Sequence, residues 1–207
     1  DGILTTDAGR KITSRSCKVA GREIHIAGMA KGAGMIGPNM ATMLALVMTD
    51  AALRVEDAQA ALVDAMDESF HCISVDGHMS TNDTVLLLAN GGAGGPVLSG
   101  RDLDNFRTTL FEVCEDLAQS IPADGEGATH LITVEVHGCR TRADALQISK
   151  TIADSPLVKT AIAGADPNWG RIIDALGYST ATIVEEKVDI GYSAPGGRKI
   201  LWSLKRG

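Results

Sequence analysis

The amino-acid sequence predicts an α+β fold, with helices and strands in separate stretches of the chain. Segments 54–70 and 101–120 place apolar residues at helical spacing along one side and acidic residues on the other. Residues 17–27 alternate apolar and polar side chains around a central glycine, which is typical of a β-hairpin. After residue 141 the composition shifts to another helical stretch followed by short strand-like segments. We therefore expect a first domain over 1–141 and a smaller α/β domain over 142–207.

Composition and charge argue against several classes of function. The 207 residues carry a formal net charge of −7, and only 3% of them are aromatic. An acidic chain without basic runs argues against nucleic acids and membrane surfaces as partners. No apolar run approaches membrane-spanning length, and no signal peptide is visible. Four cysteines are scattered along the chain without a CxxC pair: Cys17, Cys72, Cys114 and Cys139. We therefore expect reduced thiols in a cytoplasmic protein. We expect no bound metal and no bound cofactor.

The most informative stretch is 21–52, where a short apolar alternation leads into a glycine-rich bend. The bend holds a single cation, Lys31, and is followed by Pro38-Asn39 and an apolar run that opens at Met40. The spacing of that run favours a buried helix. Glycines beside one cation and one hydroxyl indicate a backbone that approaches a ligand closely.

Two interpretations of this stretch follow from the residues alone. Gly32–Gly37 has the letters GxGxxG between a possible strand and a possible helix, which is the order of a dinucleotide-binding turn. Alternatively, Thr42 is a nucleophile at the start of the apolar run. A threonine needs a base, and an N-terminal threonine supplies one through its own α-amine. That mechanism requires cleavage of the Ala41–Thr42 bond. Nothing in the residue pattern predicts such a cleavage, so an ordinary threonine in a core helix is the simpler interpretation.

Polar segments elsewhere are typical of turns. Residues 2–16 are polar and turn-rich, and Thr5-Thr6-Asp7 within them is typical of a loop or a helix cap. Residues 76–84 indicate a structured loop whose side chains satisfy their own backbone. Glu126 is a lone carboxylate between two glycines, which indicates a turn or the lining of a cleft.

Two shorter apolar segments predict further secondary structure. Residues 85–89 form an aliphatic run, which predicts a buried strand or the start of a helix. Val134 and Val136 alternate with Glu135 and His137, which is typical of a half-buried strand.

The block from Lys31 to Leu44, KGAGMIGPNMATML, resembles the signature of the ornithine acetyltransferase family, the bifunctional glutamate N-acetyltransferases of arginine biosynthesis. Further blocks agree in type and order: Thr5-Thr6-Asp7, Ser80–Thr84, Asp124–Thr129 and Asp166–Ile172. The resemblance spans almost the whole chain. It implies a layered αββα fold, with the cleavage site and the nucleophile in the first domain.

The resemblance also implies an activity. Family members cleave themselves at the bond that matches Ala41–Thr42, and the freed threonine is the nucleophile. It takes acetyl from N2-acetylornithine, forms an acyl-enzyme and passes the acetyl group to glutamate. Some members also use acetyl-CoA as a co-substrate. The cleaved chains stay associated, as a heterotetramer of two pairs. An N-terminal-nucleophile aminopeptidase or amidase of the same fold is the alternative.

Site residues carry over from the family by position. Lys31 is expected to hold a substrate carboxylate, Glu126 a substrate ammonium, and Thr5 falls at a substrate-binding position. Residues 80–84 are expected to support the site without a direct role. His78 stands where family members commonly have aspartate. The family's oxyanion-hole residues and two C-terminal substrate residues fall outside 1–207, so we expect the chain to be a stretch of a longer enzyme.

Overall fold

The computed structural model describes residues 1–19, 21–37, 43–194, 196 and 199–205. The chain forms two compact units, Asp1–Ala128 and Thr129–Gly207. The change in amino-acid composition along the chain predicts the division near residue 141 instead. The difference arises because Val134, Val136 and Cys139 pack against the hydrophobic core of the second unit.

The first unit is built on a mixed sheet with the strand order β1-β2-β3-β4 in the described residues. An antiparallel hairpin, predicted around Gly21, is confirmed: β1 (Lys11–Val19) pairs with β2 (Arg22–Lys31) from Arg22 to Ala30. β3 (Leu44–Thr49) is antiparallel to β2, and β4 (Thr84–Ala89) is parallel to β3. The segment 2–16, expected to be turn-rich, contains the first six residues of β1. The expectation is wrong there because polar side chains on both faces conceal the period of a strand.

Two helices cover one face of this sheet, as their apolar periodicity predicts. They are α1 (Val55–Asp67) and α2 (Gly100–Ala123). α2 lies across β1 and β2 and approaches closest at Gly28, where an added Cβ would be 2.7 Å from the Leu117 Cδ1 atom. The core between helices and sheet is mainly aliphatic, and its largest fully buried members include Ile24, Ile26, Phe106, Leu110 and Leu117.

The prediction of a buried helix after the glycine-rich bend is wrong, because 44–49 is the strand β3. Ala45, Val47 and Thr49 are buried, whereas Leu44 and Met48 are exposed, so the side chains alternate between the two faces. Almost every residue of the run is apolar, which conceals a period of two, and a short apolar run fits a strand as well as a helix.

The opposite face of the sheet is open in this chain, and the part of it formed by β3 and β4 is mostly apolar. The predicted segment 85–89 is a strand, β4, but it is not buried on that face. Five large apolar side chains there are between 38% and 70% exposed: Ile12, Leu44, Met48, Leu86 and Leu88.

The second unit packs three helices around its own small core. These are α3 (Arg142–Asp154), α4 (Pro156–Ala163) and α5 (Trp169–Gly177), followed by the hairpin of β5 (Ile190–Tyr192) and β6 (Leu201–Leu204). The strand predicted at 134–136 does not form, since no strand in the described part of the chain pairs with that segment. No described helix is both long enough and apolar enough to span a bilayer.

Candidate functional site

The ends of three strands meet at the start of β3. Lys31, the last residue of β2, is in register with Leu44, and Leu44 is in register with Thr84, the first residue of β4. Thr42 precedes Leu44 by two positions in the sequence. Ala41 and Thr42 themselves lie outside the described residues, so their roles as cleavage site and nucleophile stay predictions.

Lys31 is a buried cation at this junction. The residue is only 6% exposed. Its charge acts on the carboxyl of Asp83 and lowers the pKa there. A buried lysine is normally paired. Among the described residues Asp83 is an anion on which Lys31 acts, and the role of Lys31 in holding a substrate carboxylate stays a prediction.

Asp83 holds the backbone at the start of β3. Its Oδ1 accepts a 2.7 Å hydrogen bond from the Met43 N–H, and the neighbouring Thr84 N–H donates to the Met43 carbonyl at 3.1 Å. The other oxygen, Oδ2, is buried and has no partner among the described residues. Burial raises the pKa of Asp83, against the lowering effects of the Met43 N–H and the Lys31 charge. Met43, the residue after Thr42, is therefore held in place by the hydrogen bond from its N–H to a buried carboxylate.

Glu126 lies against the glycine-rich bend. Its N–H donates a 2.8 Å hydrogen bond to the carbonyl of Ala33, and its carboxylate covers Gly34, where an added Cβ would be 2.8 Å from the Glu126 Cδ atom. The side chain is exposed, so its charge is accessible to a ligand. Gly34 therefore lets the Glu126 carboxylate lie directly against the bend.

The dinucleotide interpretation of Gly32–Gly37 is not supported by the sheet. A dinucleotide-binding turn joins a strand through a helix to a parallel neighbour, whereas β2 and β3 flank this bend and are antiparallel. The bend is instead held by Asp76, whose carboxylate accepts from the N–H groups of Met35 at 2.7 Å and Ile36 at 3.1 Å. Sequence reasoning missed Asp76, since nothing in its local pattern marks a partner 40 residues away.

Thr5 is exposed and belongs to a loop that Asp7 ties to the same bend. Asp7 accepts from the Thr5 N–H at 3.3 Å, and also from the Gly32 N–H and the Lys11 ammonium, both at 2.7 Å. Burial alone would raise the pKa of Asp7, but these hydrogen bonds and the Lys11 charge lower it to about 2. Thr-Thr-Asp is thus a loop, as predicted, but its aspartate is a buried acceptor rather than a helix cap.

The loop that holds Thr5, the end of β2 at Lys31 and the loop that holds Glu126 therefore meet at the glycine-rich bend. The block Asp166–Ile172 belongs to the second unit, and its described contacts are structural. Asn168 caps α5, and Arg171 donates to the Leu157 carbonyl at 3.0 Å and to the Thr160 hydroxyl at 2.9 Å, which fastens α5 to α4. In the described part of the chain no three His, Cys, Asp or Glu side chains are grouped as metal ligands.

Comparison with known proteins agrees with the resemblance seen in the sequence. Residues 1–202 match the model of the ArgJ family. The chain is 43% identical to the mitochondrial arginine biosynthesis bifunctional protein ArgJ of Schizosaccharomyces pombe, covering 100% of this chain and 47% of that relative. It is 48% identical to the ArgJ protein of Bacillus subtilis, covering 92% of this chain and 47% of that relative.

A solved structure gives the same result. The crystal structure of the arginine biosynthesis bifunctional protein ArgJ from Bacillus halodurans aligns with a TM-score of 0.72 at 44% identity, over 78% of this chain and 74% of that one. The chain spans about half the length of the curated relatives it matches. Family model, relatives and fold together show that this chain belongs to the ArgJ family.

Proposed function

We propose that the full-length protein containing this chain is a glutamate N-acetyltransferase that moves acetyl from N2-acetylornithine to glutamate. Its precursor cleaves itself between Ala41 and Thr42, and Thr42 is then the nucleophile. The relatives are named as bifunctional proteins of arginine biosynthesis, which supports this activity.

Each half of the proposed cycle exchanges one bond for another. The α-amine of Thr42 takes the hydroxyl proton while Oγ attacks the acetyl carbonyl of N2-acetylornithine. The amide C–N bond then breaks, and ornithine leaves with the proton on its amine. The amine of glutamate next attacks the acyl ester, the ester bond breaks, and N-acetylglutamate leaves with the threonine hydroxyl restored.

The observation that carries the proposal is the pairing of Lys31 with Leu44 at the start of β3. It puts a buried ammonium, whose charge also acts on Asp83, beside the backbone that follows Thr42 by two residues. Both substrates carry an α-carboxylate, which that ammonium would bind. The carboxylate of Glu126, exposed at the adjoining bend, would bind the side-chain ammonium of ornithine or the amine of glutamate.

A denaturing gel and a transfer assay test the proposal together. Purified full-length protein should give two bands and transfer acetyl from N2-acetylornithine to glutamate, whereas Thr42→Ala should give one band and no transfer. A single wild-type band would contradict the proposal. Hydrolysis of N2-acetylornithine without transfer to glutamate would favour the aminopeptidase or amidase alternative.

Several finer statements belong to the same proposal. No bound cofactor takes part, and replacing N2-acetylornithine by acetyl-CoA in the assay tests the second donor.

The two cleaved chains form a heterotetramer of two pairs, which size-exclusion chromatography with light scattering measures. A cytoplasmic location is proposed here, whereas the S. pombe relative is named as mitochondrial; cell fractionation decides between the two.

The layered αββα fold is proposed for the full-length protein as well. The open apolar face of the sheet, with Leu86 51% and Leu88 54% exposed, supports it. An apolar area of this extent on a sheet face is expected to be covered by another layer. A second sheet packed on this face would complete the αββα layering.

A further inference from the structure

Three charged side chains that have no assigned part in the reaction form a buried cluster under the candidate site. The ammonium of Lys11 lies 2.7 Å from Oδ1 of Asp7 and 2.5 Å from Oδ2 of Asp124. The side chains of Lys11 and Asp7 are 3% and 0% exposed, and that of Asp124 is 21% exposed. We call these three residues the Asp7 cluster.

The cluster connects the three segments that carry the candidate substrate-binding residues. Asp7 accepts from the Thr5 N–H with one oxygen and from the Gly32 N–H, directly after Lys31, with the other. One carboxylate therefore sets the distance between the Thr5 loop and the end of β2.

Lys11 extends the connection to the third segment. It lies on β1 in register with Ala30 and reaches across to Asp124, which follows α2. Asp124 also accepts from the Ala8 N–H at 3.0 Å, so the Thr5 loop and the Glu126 loop are joined a second time. The hydrogen bond from the Glu126 N–H to the Ala33 carbonyl closes the ring of contacts.

We propose that Asp7 is a positioning residue for substrate binding. Its carboxylate fixes the Thr5 loop against the Lys31 strand end, and through Lys11 it fixes the Glu126 loop as well. This inference rests on the proposed function, because the residues being positioned are the proposed ligands of the substrate carboxylate and ammonium. Asp7 itself makes no contact with substrate in this account.

Burial favours such a role over a surface ion pair. A buried charge pair holds a defined geometry, and removing one partner leaves the other charge uncompensated. The Arg10–Asp1 pair on the same segment provides the contrast, because at 2.6 Å it is as close, but its side chains are 66% and 71% exposed. Such an exposed pair contributes little to structure.

The test compares Asp7→Asn with Asp1→Asn in the full-length, self-cleaved enzyme. Asp7→Asn should raise KM for N2-acetylornithine and for glutamate by about tenfold or more while kcat changes much less, since binding groups have moved. Asp1→Asn should leave both constants unchanged. A purely structural role would instead reduce the folded fraction, which lowers apparent kcat at unchanged KM.

A double variant shows whether Asp7 affects substrate binding through the position of Lys31. Lys31→Met should raise KM by itself, and Asp7→Asn added to it should raise KM by less than the product of the two single effects. Multiplicative effects, or a KM within about twofold of wild type in Asp7→Asn, would overturn the inference. An unchanged KM in Lys31→Met would overturn the proposed role of Lys31 in binding substrate, which is a distinguishable failure.

Asp124→Asn is the second variant if Asp7→Asn does not fold. It removes the charge at the rim of the cluster and leaves the hydrogen bonds of Asp7 to Thr5 and Gly32 in place. A smaller rise in KM with a folded circular-dichroism spectrum is expected. Failure of both variants to fold would assign the cluster to stability alone and overturn the inference.

Discussion

Two buried carboxylates of the first unit have pKa shifts of opposite sign, because they differ in their partners. Asp7 is surrounded by donors, which lower its pKa to about 2 from 3.8. Asp83 has a single backbone donor and one oxygen without a partner in the described residues, and burial raises its pKa. Asp7 is therefore a stabilising ion, whereas ionisation of Asp83 opposes folding.

The pH dependence of stability follows from these signs. For Asp7 the folded pKa lies below the unfolded one, so its ionic stabilisation is present above pH 3.8 and is lost as pH falls toward about 2. The shift corresponds to roughly 2 kcal/mol. In urea unfolding, the stability difference between wild type and Asp7→Asn should shrink by this amount across that window.

Asp83→Asn should show the reverse trend. Its folded pKa lies above the unfolded one, so the wild type loses stability as pH rises through the folded pKa. The difference between wild type and Asp83→Asn should therefore be larger at low pH than at neutral pH. A difference that changes with pH in the same direction for both variants would contradict the two assignments.

At the scale of elements, the sequence predicts what local periodicity encodes. The hairpin around Gly21 and the helices α1 and α2 have clear periods, and all three form where expected. The residue pattern does not reveal β3 as a strand, because the side chains on both of its faces are apolar. Contacts of Asp7, Asp76 and Asp83 with distant backbone depend on tertiary structure, so no local pattern reveals them.

The packing of α2 on β2 is close at Gly28. An added Cβ on Gly28 would lie 2.7 Å from Leu117 Cδ1 and 3.2 Å from Val113 Cγ1, atoms within a close-packed core. We expect Gly28→Ala to lower the free energy of unfolding by about 1–3 kcal/mol, measured by urea denaturation. Gly177→Ala is the control, since nothing lies within 4 Å of an added Cβ there. Equal stability of the two variants would show that α2 does not approach β2 this closely.

At the scale of the whole molecule, the open apolar face of the sheet is the feature that a longer chain must account for. In the proposed layered fold this face is buried, although Leu88 is 54% exposed in the chain described here. Leu88→Lys should therefore destabilise the full-length protein by about 2 kcal/mol or more, because a charge would be buried without a partner.

Val63→Lys on α1 is the matched control, because Val63 is 46% exposed but lies on a helix rather than on this face of the sheet. Thermal unfolding of the full-length protein should show a lowered midpoint for Leu88→Lys only. Equal midpoints for the two variants would argue against a second layer on this face.

We propose that Thr42, freed by self-cleavage, carries the acetyl group between the two substrates. Intact-mass spectrometry of the full-length protein after incubation with N2-acetylornithine measures both steps at once. We expect two chains, one beginning at Thr42, and the gain of one acetyl group on that chain alone, which glutamate then removes. An uncut chain, or a cut chain that gains no acetyl group while transfer proceeds, would show that Thr42 is not the acetyl carrier.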